Sequence, residues 1–485
     1  MRFNRYLIAQ LIGILLLING FFMLLCLPFS YYFAEEGWHS SLIISGLITT
    51  GVGGTLWGAS IRKSEKELKK RDGYLIVTLG WIAMSAFGAL PYILSGAIPT
   101  YTDAFFETVS GYSTTGASIL TNIEALPKGI LFWRSLTQWI GGMGIIVMAV
   151  AILPILGIGG MQLFVAEAPG ISPDKLKPRI QDTAKRLWLI YIGLTFLQSV
   201  ILMLGGMSFY DAVNHSMTTM ATGGFSTKNA SIAECSPFIQ YVIIFFMFVA
   251  GTNFTLTYFA TKFRFRKVFF NEEFRYYLGF VLLSTIIISF IIFNVTGNLF
   301  EKSFRDALFQ VVAIITTTGY VSADYTQWSP FITMLIFIMM FFGASAGSTA
   351  GGVKIVRHVI LIKNSILELR RQLHPSAIIP VRFNNKAVSQ DITFNILAFI
   401  MIYLAVFATG VIVMSATGVD FLTAIGAVAT SLGNIGPGLG TVGPIDNFAH
   451  LTQFSKWFLA FLMLLGRLEL FTVLILFTPY FWKKI

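Results

Sequence analysis

Four short segments of the chain combine threonine and glycine in a way that suits the binding of a dehydrated cation. Glycine permits backbone conformations that turn successive carbonyl groups toward one axis, and threonine hydroxyl groups add further oxygen atoms. Rings of such oxygens replace the hydration shell of K⁺ in selective pores. None of the segments contains Asp or Glu, which argues against a site for divalent cations. The candidate residues are Thr114, Thr115, Gly116, Thr222, Gly223, Gly224, Thr317, Thr318, Gly319, Asn434, Ile435 and Gly436.

A short apolar stretch that opens with aspartate precedes each segment. The aspartates are Asp103, Asp211, Asp306 and Asp420; the first three lie 13 residues before the last glycine of their segment, and the fourth lies 16 before it. A helix of about a dozen residues spans only ~18 Å, so each stretch is predicted to enter the membrane and return without crossing it. We expect each aspartate to cap its half-helix, because a carboxylate satisfies the free N–H groups and the positive end of the helix dipole.

The glycine-containing segments would then lie inside the membrane. Irregular backbone is tolerated there only where it is buried in protein or lines a water-filled cavity, so four such segments predict a pore. The alternative is that the glycines only allow helices to pack closely, as small residues do in membranes. Matching positions in four stretches favour the pore.

The composition also indicates a membrane protein. Of 485 residues, 55% are hydrophobic and only 12% are charged, which is too little polar surface for a water-soluble protein of this size. A tenth apolar stretch, beginning at Pro330, is interrupted by glycines. The nine uninterrupted stretches are Leu7–Tyr32, Ile43–Ile61, Tyr74–Ala97, Gly129–Leu156, Leu187–Gly206, Phe238–Ala260, Tyr277–Gly297, Thr393–Gly418 and Trp457–Trp482.

The same order of elements recurs four times along the chain: an apolar span, a half-helix, a Thr/Gly segment and a second span. We therefore predict an all-α integral membrane protein of four tandem span–pore-helix–span repeats around a pseudo-fourfold pore, preceded by two extra transmembrane helices. The predicted units are residues 1–72 for the two N-terminal helices, 73–160, 161–265, 266–385 with a broken outer span, and 386–485 for the four repeats.

The net charge of +11 is concentrated between the spans. Of 34 Lys and Arg, 27 lie at the two termini or in Arg62–Arg71, Lys175–Arg186, Lys262–Arg275 and Lys354–Lys386. If these segments are cytoplasmic, the positive-inside rule is satisfied and both termini are cytoplasmic. This distribution favours a lipid bilayer over nucleic acid as the surrounding partner.

The third and fourth repeats each carry a departure from this symmetry. The outer span of the third repeat breaks at Gly343–Gly352, where each glycine costs about 1 kcal/mol relative to alanine in a helix. Arg467 lies within the last span, where a charge is unfavourable unless it faces a cavity or a partner, and Glu469 is predicted about 200° further round the same helix. We predict a gate formed by Gly343, Gly347, Ser348, Thr349, Gly351, Gly352 and Arg467.

Two other interpretations of these features remain open. The glycine-rich segment could be a flexible connection at the membrane surface, and Arg467 could form a salt bridge that only assembles helices. A phosphate-binding loop is excluded because the P-loop spacing and a preceding strand are missing, so we expect no covalent or nucleotide cofactor in this chain.

The motifs STTGAS, ATGGFST, TTTGY, GNIGPGLG, GASAGSTAGG and GRLELFT, in this order, resemble the TrkH/TrkG branch of the Trk–Ktr–HKT superfamily of K⁺ transporters. The resemblance covers essentially the whole chain, and the two extra N-terminal spans fit the Trk branch. It implies K⁺ as the transported ion, a bacterial inner-membrane location, a homodimer with one pore per protomer, and a separate cytoplasmic nucleotide-binding regulator of the TrkA type. It also implies a gating role for the glycine-rich segment.

Two other function classes fit the sequence less well. A secondary transporter that couples K⁺ or Na⁺ entry to H⁺ or Na⁺ typically has two inverted repeats, whereas this chain has four repeats of one orientation. An enzyme is disfavoured because the five histidines are scattered and no nucleophile, metal-ligand or dinucleotide pattern has usable spacing.

Overall fold

Long apolar helices make up most of the chain. The computed structural model describes residues 3–33, 38–61, 70–147, 180–297, 299–374, 377 and 379–483. Within these ranges, six helical stretches are long and apolar enough to cross a membrane, and two bent helix pairs raise the number to eight. The prediction of a helical, multi-pass membrane protein is confirmed. The six stretches are formed by Arg5–Leu24 with Leu27–Tyr32, Trp38–Ile61, Lys70–Gly88 with Leu90–Leu94, Ile180–Leu204, Glu272–Thr296 and Gln390–Ala416.

The first two spans pack against each other through glycine. A methyl group on Gly13 would lie 2.7 Å from the carbonyl oxygen of Gly53, so the two helices approach as closely as small residues allow. The hydroxyl group of Tyr112 donates a hydrogen bond to the side-chain oxygen of Asn19 in the first span. The two N-terminal helices therefore lie beside the first repeat.

Four short helices correspond to the predicted half-helices. They contain 12, 12, 16 and 13 residues, so the longest is only about 24 Å long. Most of their residues are buried. The four half-helices are Tyr101–Tyr112, Phe209–Met220, Phe300–Ile315 and Phe421–Gly433.

The prediction that aspartate caps the half-helices is correct only for the fourth. The carboxylate of Asp420 accepts a hydrogen bond from the N–H of Thr423 at 3.1 Å. In the first and second half-helices the caps are Thr100 and Ser208, and the aspartate is the third helical residue. A hydroxyl residue three positions earlier starts each of these helices and bonds to the aspartate, in a variant of the capping box.

The third half-helix starts at Phe300, six residues before Asp306, so this aspartate is inside the helix and buried. What the four half-helices share is how they end. The first three end four residues before the last glycine of their loop, and the fourth ends three residues before it.

The outer spans of the second and fourth repeats are broken, although the sequence predicted both to be continuous, so that prediction is wrong. The outer span of the third repeat, where a break was expected, is broken as well. In the second repeat, Pro237–Ala250 and Phe254–Thr261 are bent by 111°. Asn253 starts the new helix by accepting a hydrogen bond from a backbone N–H. In the fourth, Gln453–Arg467 and Phe471–Phe477 are bent by 113°.

The last span breaks directly after Arg467. Glu469 and Leu470 have φ values of 53° and 21°, so the predicted placement of Glu469 further round the same helix is wrong. Glu469 pairs instead with Arg357 at 2.9 Å, and the Arg357 guanidinium lies 3.9 Å from the centre of the Phe399 ring.

Several shorter elements complete the described chain. The described part of the predicted span at 129–156 is the helix Lys128–Val147; residues 148–156 lie outside the described residues. The other elements are the helices Phe265–Phe269, Pro330–Met339, Ile355–Leu373, Phe471–Leu474 and Pro479–Trp482, the 3₁₀ turns Tyr325–Gln327, Gly440–Val442 and Ile475–Phe477, and the antiparallel strands Arg382–Phe383 and Lys386–Ala387.

The two ends of the described chain meet on one face of the molecule. The N–H of Asn4 donates a hydrogen bond to Asp72 at 3.2 Å, and Arg71 donates one to the carbonyl oxygen of Lys483 at 2.9 Å. The rings of Phe3 and Phe481 lie 5.7 Å apart. Both ends of the described chain therefore lie on the same side of the helical bundle.

Candidate ion-conduction site

The four loops that follow the half-helices share one backbone conformation. The residue two positions before the last glycine is left-handed in every loop, with φ between 52° and 55°. The last glycines are also left-handed, with φ between 72° and 107°, whereas the residue between has a negative φ. This alternation turns successive carbonyl groups to the same side. The left-handed pairs are Thr114 and Gly116, Thr222 and Gly224, Thr317 and Gly319, and Asn434 and Gly436.

Each loop closes its half-helix with the same turn. The residue before the last glycine donates its N–H to the carbonyl oxygen five residues earlier, which is the pattern of a Schellman motif. The distances are 2.9 Å from Thr115 to Ser110, 2.9 Å from Gly223 to Thr218, 2.8 Å from Thr318 to Ala313 and 3.0 Å from Ile435 to Thr430.

The loops contact one another in a closed cycle, which we call the ring; its four last glycines are the ring glycines. A Cβ atom on any ring glycine would collide with the carbonyl oxygen of the residue before the ring glycine of the next loop. These contacts run from Gly116 to Gly223, from Gly224 to Thr318, from Gly319 to Ile435 and from Gly436 to Thr115. Since the fourth loop returns to the first, the structure brings the four loops that hold the twelve predicted residues together in one closed ring.

Threonine is an unusual residue for the left-handed positions of the ring. A β-branched residue with positive φ is a genuine outlier, since most such positions are occupied by glycine or asparagine. Asn434 follows that preference, but Thr114, Thr222 and Thr317 do not. Strained conformations of this kind persist mainly at functional sites. The three threonines therefore indicate that a hydroxyl group is useful at this position.

The hydroxyl groups of these threonines have different surroundings. That of Thr114 is buried and has no hydrogen-bond partner within the described part of the chain. That of Thr222 donates to the carbonyl oxygen of Ala221 at 2.6 Å, and that of Thr317 accepts from the N–H of Gly351 at 2.7 Å. The ring is thus regular in its backbone and irregular in its side chains.

All four ring glycines line one open cavity of about 180 Å³. Three charged side chains, those of Arg134, Lys228 and Asp446, also line it. The ring is therefore accessible from this cavity.

The glycine-rich segment, Gly343–Gly352, lies against the ends of the half-helices where the ring begins. The hydroxyl group of Thr349 donates a hydrogen bond to the carbonyl oxygen of Met220, the last residue of the second half-helix, at 3.0 Å. Gly351 contacts the third loop through the bond to Thr317, and the fourth through Gly433, whose carbonyl oxygen would lie 2.8 Å from a Cβ atom on Gly351. The segment therefore touches three of the four repeats at the ring.

Arg467 holds this segment from the fourth repeat. Its side chain is buried and donates hydrogen bonds to the carbonyl oxygens of Thr349 at 2.9 Å and Gly141 at 3.1 Å. Within the described residues, these bonds go to carbonyl oxygens and no ion pair of Arg467 is seen, in contrast to the salt-bridge alternative. The structure thus brings Arg467 and the glycine-rich segment together; their role as a gate stays a prediction.

Two charged residues at this segment were missed in the sequence. The carboxylate of Glu273 accepts a hydrogen bond from the N–H of Ala346 at 2.7 Å. The ammonium group of Lys354 donates hydrogen bonds to the carbonyl oxygens of Ala350 and, at 3.3 Å, Gly351. The available signal was that Glu273 stands at the start of an apolar span and that Lys354 lies two residues after the last glycine of the run.

A buried ion pair behind the first loop was also missed. Arg134 and Glu107 lie 2.7 Å apart, and both side chains are almost fully buried. Glu107 also accepts a hydrogen bond at 2.9 Å from the N–H of Ile119, three residues after Gly116. The signal was a second carboxylate in the half-helix, four residues after Asp103, and a lone arginine in the apolar span that follows it.

Comparison with known proteins assigns the family. A model of the TrkH family, described as cation transport protein, matches residues 39–484. The chain is 41% identical over 485 residues to the Trk system potassium uptake protein TrkH of Salmonella typhimurium, covering 98% of this chain and 99% of that relative. It is 34% identical over 437 residues to the Trk system potassium uptake protein TrkG of Escherichia coli, covering 89% and 90% of the two chains.

A solved structure agrees with this assignment. The crystal structure of the potassium transporter TrkH from Vibrio parahaemolyticus superposes with a TM-score of 0.89 at 37% identity, covering 98% of this chain and 99% of that one. The matched family, the relatives and the shared fold lead to one conclusion: this chain belongs to the TrkH family of cation transport proteins.

Proposed function

We propose that this chain is the K⁺-selective conducting subunit of a Trk-type potassium uptake system. The observation that carries the proposal is the closed cycle of contacts in the ring, in which a backbone carbonyl of each repeat lies against the ring glycine of a neighbouring repeat. The names of the relatives, both potassium uptake proteins, support K⁺ as the transported ion. The family is one of transport proteins rather than enzymes.

In this proposal the ring is the selectivity filter. Its carbonyl oxygens replace the water molecules around K⁺, and the absence of carboxylates from the four loops favours a monovalent ion. The left-handed threonines support the proposal, because a left-handed L-residue costs about 1–2 kcal/mol and needs a functional reason. The filter residues are the twelve predicted from the sequence.

We infer that the glycine-rich segment and Arg467 form the gate. Contacts of the segment with Met220, Thr317 and Gly433 support this role, because they put it across the inner ends of three half-helices. Arg467 holds it there through a hydrogen bond to Thr349, and a second bond ties the guanidinium to Gly141 of the first repeat. To move such a gate from about 1:99 to 99:1 open, a regulator needs ~5.5 kcal/mol of differential affinity.

We propose that both termini are cytoplasmic and that the chain lies in the bacterial inner membrane. The positive-inside rule favours the basic segments on the cytoplasmic side. The contacts of Asn4 with Asp72 and of Arg71 with Lys483 support one common side for the termini.

We further propose that the protein is a homodimer and binds a cytoplasmic nucleotide-binding regulator of the TrkA type. The ring closes within one chain, which is consistent with one pore per protomer. The helix Ile355–Leu373 leads directly away from the glycine-rich segment and ends with Arg370 and Arg371 in its last turn. A regulator bound at this helix would be linked to the gate by a single rigid element.

The test is an ion-flux measurement on the purified protein in liposomes. We expect uptake of radioactive Rb⁺, which substitutes for K⁺, to exceed uptake of Na⁺ at equal gradients. Equal rates for the two ions would contradict a K⁺-selective filter. Rb⁺ uptake that requires a Na⁺ or H⁺ gradient would favour a coupled transporter instead.

A further inference from the structure

The second loop of the ring lacks a side chain that the other three loops have. The residue before the ring glycine is Thr115, Thr318 and Ile435 in the first, third and fourth loops, but Gly223 in the second. Its φ is not positive, so a side chain there would meet no backbone strain. The glycine therefore needs another explanation.

The space of the missing side chain is filled by Gln138, from the first repeat. A Cβ atom on Gly223 would overlap the amide carbon of Gln138 and lie 2.8 Å from its Nε2 atom. Gln138 is fully buried on the helix Lys128–Val147. Its amide group thus occupies the position that the Cβ atom of a side chain at residue 223 would take.

Both polar atoms of the Gln138 amide form hydrogen bonds with the backbone of the second loop. Nε2 donates a hydrogen bond to the carbonyl oxygen of Gly223 at 2.6 Å, and Oε1 accepts one from the N–H of Phe225 at 3.0 Å. These two groups flank the ring glycine Gly224. The carbonyl oxygen of Gly223 is also the one that faces Gly116 in the ring, so Gln138 bonds directly to a ring oxygen.

In the first and third loops, a pair of hydroxyl groups within the loop occupies the corresponding place. Ser113 and Thr115 bond at 2.6 Å, and Thr316 and Thr318 bond at 2.8 Å; in each pair the first residue caps the end of the half-helix. The second loop has Ala221 at the cap and Gly223 beyond it, so neither hydroxyl group is present.

The residue one helical turn before Gln138 contacts the same loop. Arg134 donates a hydrogen bond to the carbonyl oxygen of Ser226 at 3.0 Å, and its guanidinium lies 3.5 Å from the centre of the Phe225 ring. The ion pair with Glu107 fixes Arg134 in turn. One face of this helix therefore spans the second loop from Gly223 to Ser226.

We propose that Gln138 is a positioning residue for ion selectivity, which supplies from the first repeat the support that the second loop lacks. Its amide orients the carbonyl group of Gly223 in the ring. Because the Gly223 oxygen already accepts a hydrogen bond from the Gln138 amide, it is a weaker ligand for a cation than the corresponding oxygens of the other three loops. This inference rests on the proposed filter function of the ring.

The proposal is tested with a pair of complementary substitutions, Gln138→Ala and Gly223→Thr, singly and together. In liposomes, Gln138→Ala should lower the ratio of Rb⁺ to Na⁺ flux about two- to tenfold, the range expected for one lost hydrogen bond. Gly223→Thr alone should reduce Rb⁺ flux, because its side chain collides with Gln138. The double variant should recover selectivity, because the threonine enters the space that Gln138 leaves and restores a side chain as in the first and third loops.

The matched control is Gln198→Ala, which removes a buried glutamine of a neighbouring span that does not bond to the ring. It should leave the ratio of Rb⁺ to Na⁺ flux unchanged. A lower ratio in Gln138→Ala would then be specific to Gln138 and not a general effect of removing a buried glutamine. Size-exclusion chromatography and thermal melting of each variant report folding separately. If Gln138→Ala gives no folded protein, recovery of folded, selective protein in the double variant supports the inference, and no recovery overturns it.

Two outcomes separate this inference from the function on which it rests. A wild-type protein that passes Rb⁺ and Na⁺ equally would overturn the filter and the role of Gln138 together. A selective wild type with an unchanged ratio in Gln138→Ala, or a double variant no more selective than the single variants, would overturn the role of Gln138 alone.

Discussion

The ring and the glycine-rich segment beside it are built in opposite ways. In the ring, four loops from four repeats adopt the same left-handed and right-handed alternation, and each loop contacts the next. The segment Gly343–Gly352 occurs in one repeat only, and side chains from elsewhere hold it, among them Glu273, Lys354 and Arg467. A repeated backbone suits a site that must have one fixed geometry. A single segment held by side-chain bonds suits an element that moves between two positions.

The largest expected effect is at a ring glycine. In Gly319→Ala the new methyl group would collide with the carbonyl oxygen of Ile435 and approach Cδ of Pro437 to 2.7 Å, so the ring cannot keep its geometry. We expect selective Rb⁺ flux in liposomes to be lost. Gly96→Ala is the matched control, because Gly96 has a φ of 74°, close to the 72° of Gly319, but open space around it. Gly96→Ala should cost about 1–2 kcal/mol of stability and leave selectivity intact.

A Gly319→Ala protein that is folded and still selective would break the comparison, because the ring would then tolerate a change that its contacts forbid. Thermal melting of both variants separates a folding defect from a change at the ring.

The second effect concerns the segment. Arg467→Ala removes the one hydrogen bond from Arg467 to the segment, at Thr349, together with the bond that anchors the guanidinium to Gly141. A hydrogen bond to a charged group is worth about 1.5–3 kcal/mol. We expect Rb⁺ flux without any regulator to rise at least about tenfold, with the ratio of Rb⁺ to Na⁺ unchanged. Deleting residues 346–350 should act in the same direction. The measurement is flux into liposomes at equal protein content.

Arg305→Ala is the control for this experiment, since Arg305 is also buried and hydrogen-bonded, to Gln240, but lies near the start of the third half-helix. Its flux should stay at the wild-type level. If Arg467→Ala were folded and no more open than Arg305→Ala, the gate would have to be sought elsewhere.

A third experiment sharpens the contrast between backbone and side chains within the ring. Replacing Thr114 by glycine relieves a left-handed β-branched residue, so the protein should gain about 1 kcal/mol of stability. The same change removes a buried hydroxyl group, and the Rb⁺ to Na⁺ flux ratio should fall. Thr49→Ala serves as a control, because Thr49 is buried in a span and its hydroxyl group bonds to Ser45 and Met23, away from the ring. A more stable Thr114→Gly protein with full selectivity would mean that only the backbone of the ring selects ions.

The spacing of residues predicted the ring better than the helices that carry it. The C-terminal ends of the half-helices lie three or four residues before the ring glycines, so each loop follows its half-helix at nearly the same distance. The spacing from aspartate to glycine therefore located the loops, although only Asp420 acts as a cap. The glycines of the third repeat revealed its broken span, but the breaks in the second and fourth repeats could not be read from hydropathy. The break in the second depends on distant contacts such as the hydrogen bond from the N–H of Ser345 to the carbonyl oxygen of Gly251 at 3.0 Å.

Gln138 was missed for a related reason. It acts on Gly223, which is 85 positions away in the sequence, and no helical or repeat period connects the two. The local signal was the one departure of the second loop from the pattern, the glycine in place of a side chain. A break in a repeat thus marks where another part of the chain makes the missing contact.

The smallest expected effect lies where the segment continues into the helix Ile355–Leu373. Arg370 is exposed at the end of this helix, whereas the neighbouring Arg371 already donates hydrogen bonds to Glu368 and to the carbonyl oxygen of Ile379, both at 2.8 Å. A regulator can therefore recruit Arg370 without breaking a side-chain hydrogen bond seen among the described residues. Since an exposed ion pair is worth about 0.2–1 kcal/mol, Arg370→Gln should weaken binding of a TrkA-type regulator up to about fivefold. The loss should shrink as salt is raised, because exposed charges are screened. Arg371→Gln, the matched variant, should change thermal stability more than affinity. Regulator affinity is measured at two salt concentrations. If neither Arg370→Gln nor Arg371→Gln changes it, the regulator reaches the gate through another surface.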